Sequence, residues 1–195
     1  MSLATGTIWF PAWCIEFSEK VQDPRQLAAT IVEQRPDDGW ALLAYAAAAS
    51  EAHLWTAWLA MVQRQRNDSM RSHSRDAEFL RLIAGTRQVS VAFERAGLAA
   101  GDEKCWLVHL PPPTRDAAEL PSHEGNLPTV IRTEIETVAD SLMGWLGAEL
   151  IARRPVPTEA GLLRLGIIEA TDSEPTPPPN DWEALFLGHI AIADL

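Results

Sequence analysis

Between His53 and Gly97 seven arginines, at positions 64, 66, 71, 75, 81, 87 and 95, stand against four acids, Asp68, Asp76, Glu78 and Glu94. In the rest of the 195-residue chain nine basic residues face twenty-three acidic ones, and the formal net charge is −11. Guanidinium groups gathered in this way can hold a phosphate-bearing partner, because their planar fork matches phosphate oxygens. The plainer reading is a set of solvated helix faces, since single exposed arginines are ordinary. The segment is interrupted at Gly85-Thr86-Arg87-Gln88, between two short apolar stretches. Local physics makes that break a turn, with Gly85 ending one helix and Thr86 capping the next.

Other chemistry is not visible. The chain has no glycine-rich phosphate loop, no GxSxG elbow, no HExxH and no dinucleotide fingerprint. Glu134 and Glu136 are two apart on a predicted helix and face different ways, which makes a poor acid/base couple. His53, His109 and His189 lie in apolar elements and read as hydrogen-bonded, partly buried side chains. Cys14 and Cys105 form no CxxC pair and have no histidine at zinc-ligand spacing, so free thiols in a reducing cytoplasm are expected, without metal or cofactor. No apolar run approaches the roughly 20 residues of a membrane span, and no signal peptide is indicated, so the expected location is cytoplasmic with no membrane contact. The bulk acidity argues against non-specific nucleic-acid binding. Fourteen of the sixteen basic residues are arginine; a GC-rich genome or a saline cytoplasm would each produce that bias.

The elements that must position these groups follow from pattern and punctuation. Ile8 to Phe17 is rich in β-formers, with Pro11 suggesting an edge or a kink. Asp23-Pro24 starts a helix to about Glu33, and 36–39 is a turn. Trp40 to Tyr45 is a candidate short strand. Ser50 caps a longer helix in which Leu54, Trp55, Trp58, Leu59 and Val62 recur at helical spacing. Further helices start near Arg75, with Phe79, Leu80 and Ile83 inward, and near Arg87, with Val89, Ala92, Phe93 and Ala96 inward and a Schellman stop at Gly97-Leu98. Cys105 to Leu110 reads as a buried central strand. Eleven of the fourteen prolines follow residue 110, which predicts flexible loops at 111–128 and 172–180. Between these loops Ile131, Ile135, Val138, Leu142 and Trp145 mark an amphipathic helix, and Thr158 to Leu165 a short one. Asn180-Asp181-Trp182-Glu183 resembles a capping box opening a last helix to Ala193. Trp55, Trp58, Trp106 and Trp145 fall on predicted core faces; Trp9, Trp13 and Trp40 are less committed. The expected class is α/β (α+β), a single domain over 1–195 with a small mixed sheet against several helices.

The stretch from His53 to Leu98 resembles the central block of the kinase-associated small-subunit family of the KEOPS (EKC) complex, of archaeal type. The matching words are His53-Leu54, then Met70-Arg71-Ser72-His73-Ser74, then Glu78, then Gly85-Thr86-Arg87-Gln88-Val89, Ala92, Phe93 and Gly97-Leu98. Their order and spacing carry the likeness, and weaker similarity extends to Cys14–Glu33, to Cys105–Leu110, to 162–167 and to 185–195. The resemblance implies a non-catalytic subunit of the complex that makes threonylcarbamoyladenosine on tRNA. Its implied partners are the kinase-like ATPase subunit of KEOPS and tRNA, recruited through the single-stranded 3′ CCA end. By position it nominates Arg71, His73, Arg75, Arg87 and Gln88 as RNA contacts, arginines on phosphates and neighbours on bases. It does not say which face meets the kinase. Each residue has a plainer role, Gln88 as a backbone cap and Arg75 as partner of Asp76 or Glu78.

Two other classes stay open. Ala77–Ala84 and Arg87–Ala96 around Gly85-Thr86 have the layout of a DNA-binding helix-turn-helix, whose second helix would offer only Arg87, Gln88 and Arg95. A small enzyme with a site assembled from distant loops is the other.

Overall fold

The computed structural model describes residues 9–112, 132–169 and 176–194. Four strands, β1 (Ala12–Phe17), β2 (Trp40–Ala44), β3 (Lys104–His109) and β4 (Ala148–Ile151), form one sheet in the order β2-β3-β1-β4. The α+β class matches expectation, but every pairing is antiparallel rather than mixed. Period-2 alternation sends Ala12, Cys14, Ala41, Leu43, Trp106 and Val108 to one face and Trp13, Ile15, Trp40, Leu42, Cys105 and Leu107 to the other. Both faces are covered, which is why β2 and most of β3 read as unbroken apolar runs.

The first face carries α2 (Glu51–Arg66), α3 (Arg75–Ile83), α4 (Val89–Ala96), α6 (Glu159–Leu165) and α7 (Trp182–Ala191). The second carries α1 (Pro24–Gln34), through Ile31, and α5 (Arg132–Leu146), through Ala139, Leu142, Met143 and Leu146. Caps account for the helix starts. Asp23 Oδ1 accepts from the Arg25 and Gln26 amides at 2.9 and 3.2 Å, with Pro24 in the first turn. Ser50 Oγ accepts from His53 N at 3.1 Å, and Thr158 Oγ1 from Gly161 N at 3.1 Å. Gly161 is also a packing device. A Cβ there would lie 2.2 Å from the Ala46 carbonyl oxygen, so α6 sits directly on the short 3-10 turn after β2.

Several details depart from expectation. Pro11 precedes β1 rather than marking an edge, and β1 is an interior strand whose neighbour Pro11 accepts from His109 N at 2.8 Å. Trp13 and Trp40 belong to the core, stacked at 5.8 Å, whereas Trp145 is 64% exposed. Phe93 also faces outward, while Ala92 and Ala96 are fully buried. Gly97 ends α4 without a left-handed turn, at φ −79° and ψ 179°. Glycine fits there for space, since a Cβ would meet Phe93 O at 2.4 Å. No side chain caps α7, which instead follows a 3-10 turn, Pro179–Asp181. Of the loops expected at 111–128 and 172–180, residues 113–128 and 172–175 lie outside the described residues.

Candidate functional site

Four of the seven arginines converge on one corner. Arg64 comes from the last turn of α2, Arg71 from the α2–α3 link, Arg81 from α3 and Arg87 from the α3–α4 turn. They meet Glu78 of α3 and Asp194, in the 3-10 turn that follows α7. Arg81 and Glu78 have fully buried side chains and pair at 2.6 Å, one helical turn apart. Glu78 also accepts the amides of Arg71 and Ser72, each at 3.1 Å, so it anchors the link as well as the helix. Arg81 Nη1 reaches Thr86 O at 2.9 Å, Ala193 O at 2.8 Å and Asp194 Oδ1 at 3.0 Å. Arg64 pairs closely with Asp194 Oδ2, and Arg71 Nε lies 3.3 Å from Asp194 Oδ1. Arg87 donates to the Asp194 carbonyl, its Nε at 2.7 Å.

Burial alone would push the Glu78 carboxyl up, but Arg81 and the Ser72 amide outweigh it and hold it below its ordinary value. Asp194 is likewise held down, the opposing effect of burial overcome by Arg64 and Arg81. Both acids are therefore ionised at neutral pH, and the four guanidiniums outnumber the two carboxylates. A cleft of about 360 Å³ opens beside them, lined by Gln63, Arg64, Asn67, Ser69, Arg71 and Asp194.

Of the nominated residues, Arg71 and Arg87 are brought together by Asp194. Arg75 is held elsewhere. Its Nε and Nη2 bind Asp38 at 2.7 Å and Asp37 at 3.0 Å, not the Asp76 or Glu78 suggested by sequence proximity. His73 and Gln88 are exposed, and Gln88 makes no side-chain cap to α4; its amide donates to Thr86 Oγ1 at 3.2 Å. The Gly85 turn is set by its neighbour on α7. Gly85 has φ +56°, and a Cβ there would fall 2.3 Å from His189 Nε2, the atom that lies 3.0 Å from Ala84 O. Sequence reasoning missed Asp37, Asp38 and Asp194 as the partners. The one available signal was Asp194 itself, a lone acid closing an apolar helix. The helix-turn-helix layout presents Phe93 and Glu94 outward on α4, while Arg87 and Arg95 are engaged with the Asp194 and Leu165 carbonyls.

The histidines shape stability rather than chemistry. Burial drives His53 down to about 3, helped by His189, and His109 down to about 4, where the opposing charge of Asp37 is weaker. Both are neutral when folded and bind a proton near pH 6.5 when unfolded. The unfolded state therefore takes up more protons below that pH, and stability falls from about pH 6.5 downward until the folded values are reached. Glu78 and Asp194, with depressed carboxyl values, withdraw their contribution only at lower pH, below about 4. Tm is expected to drop steeply between pH 6.5 and 4.5, and the slope to flatten in His109→Gln. A pH-independent Tm over that window would contradict the assignment.

Among the described residues no group of three or more His, Cys, Asp or Glu side chains is arranged to hold a metal ion, and no helix is long and apolar enough to cross a membrane. Fold and charge layout together define a small α+β protein organised around a clasp of arginines between its second and last helices. Residues 18–141 match the family model described as kinase binding protein CGI-121, and the chain belongs to that family. No curated protein matches it.

Proposed function

We propose that this kinase-binding protein is the small, non-catalytic subunit of a cytoplasmic KEOPS-type complex, docking on the kinase-like ATPase and helping to recruit tRNA through its 3′ CCA end for threonylcarbamoyladenosine formation. The observation that carries the RNA part is the arginine corner with its excess positive charge beside an open cleft. Single-stranded ends are held by phosphate contacts and by side chains that take up the bases, so this local charge matters more than the global −11. Arg71 and Arg87 are the phosphate ligands in this reading. Exposed His73 and Gln88 flank them, and Arg75, tied to two aspartates, steadies the start of α3.

The test mixes purified protein with tRNA that has or lacks its CCA end, with and without the kinase-like subunit. Co-purification with the kinase-like subunit and retention of only CCA-bearing tRNA are expected. Failure to co-purify would remove the complex assignment; binding indifferent to the CCA end would remove the RNA assignment alone.

A further inference from the structure

The edge of β2 that no described strand pairs with lies at the floor of an apolar groove of about 720 Å³, between α1 and α4. Val32 of α1 and Phe93 of α4 are exposed large side chains on its two walls, 55% and 42% accessible. Antiparallel alternation fixes which backbone groups face it. His109 N donates to Pro11 O across β1, and Leu110 N to Gly39 O across β2, so Ala41 and Leu43 bond to β3 and Leu42 turns its N–H and C=O outward. Neither Leu42 group has a hydrogen-bond partner among the described residues. The neighbouring outward carbonyl, Trp40 O, is covered by Arg35 Nη1 at 2.8 Å. Arg35 also binds Asp76 Oδ2 at 2.6 Å, while Asp76 Oδ1 is buried without a donor at the border of the same groove.

We infer that this groove receives an extended segment of the kinase partner, paired as an added strand on Leu42, with an apolar side chain between Val32 and Phe93 and a basic side chain directed to Asp76. An edge strand leaves a row of unpaired donors and acceptors that only another strand satisfies along its length. Charge agrees with this occupant. Asp23, Asp76 and Glu94 line the groove with Arg25, and once Arg35 is counted as the partner of Asp76 three acids still face two cations, so a basic segment is favoured over an acidic one. The inference rests on the kinase-docking reading and supplies the face that it left unassigned.

The experiment measures binding of the full chain to its cognate kinase-like ATPase by calorimetry, with amide hydrogen exchange on the free and bound protein. Val32→Glu with Phe93→Glu, both at exposed positions, is expected to weaken binding about 10-fold or more. Leu150→Glu, exposed on the opposite edge strand, should bind as wild type. In the free protein the Leu42 amide should exchange faster than those of Ala41 and Leu43, and slow by about 10-fold or more in the complex. Wild-type binding with an unaffected double variant and an unchanged Leu42 rate would overturn the groove while leaving kinase docking intact. No binding by the wild type would overturn both.

Discussion

Replacing Glu78 with alanine is expected to lower stability by about 3–5 kcal/mol, the range for removing one partner of a buried ion pair. For a domain of this size that is a fall in Tm of about 6–20 °C. The magnitude follows from geometry, since Glu78 and Arg81 both have fully buried side chains and Glu78 also satisfies the Arg71 and Ser72 amides. Glu78→Gln keeps an acceptor for those amides but loses the charge facing Arg81, so an intermediate loss is expected. Glu78→Leu together with Arg81→Leu should recover part of the deficit, because no uncompensated charge is then buried. Thermal melts of the three variants at pH 7 check this ordering. A loss under about 1 kcal/mol for the alanine variant would mean that Asp194 and the Thr86 and Ala193 carbonyls suffice for Arg81.

Arg71→Glu combined with Arg87→Glu is expected to weaken tRNA binding about 100-fold at moderate salt while leaving the kinase interaction unchanged. In the proposed reading each arginine would supply one charge-assisted contact to phosphate, worth about 1.5 kcal/mol at the exposed end of the range, and two such losses amount to about two decades. Arg71 is 48% exposed and Arg87 lies on the surface; their side chains contact Asp194 rather than the buried Glu78–Arg81 pair, so a thermal melt of the variant reports the cost of placing two glutamates beside Asp194. Loss of two phosphate contacts also flattens the dependence of log affinity on log salt by about 1.4 for a single-stranded ligand. A drop in affinity without that change in slope would point to altered folding instead of lost phosphate contacts.

The legible parts of the fold are those written in neighbouring residues. Asp23-Pro24, Ser50 and Thr158 announced their helices because a cap is a contact over two or three residues. β1 and β3 stood out as β-forming runs, and burial of β3 on both faces made it a central strand. β4 passed unnoticed, since a four-residue edge strand carrying Glu149 has too little pattern to register. The arginine segment is visible in the sequence, but its acidic partners are not. Asp37 and Asp38 lie in the turn before β2 and Asp194 beyond α7, and a local charge window counts only neighbours along the chain. Trp145 follows Leu142 at helical spacing, but the buried stripe of α5 runs through Ala139, Leu142, Met143 and Leu146 and leaves Trp145 to one side.

The arginine clasp also has an order of birth. Arg64, Arg71, Arg81 and Arg87 precede Asp194 by 130, 123, 113 and 107 residues. At about 5–20 residues per second, roughly 5–25 s of translation separate them. During that interval Arg81 already has Glu78 one helical turn away and Arg64 has it at 3.7 Å, but Arg71 and Arg87 wait. A chain not yet extended as far as Asp194 thus carries the cations without the geometry that arrays them.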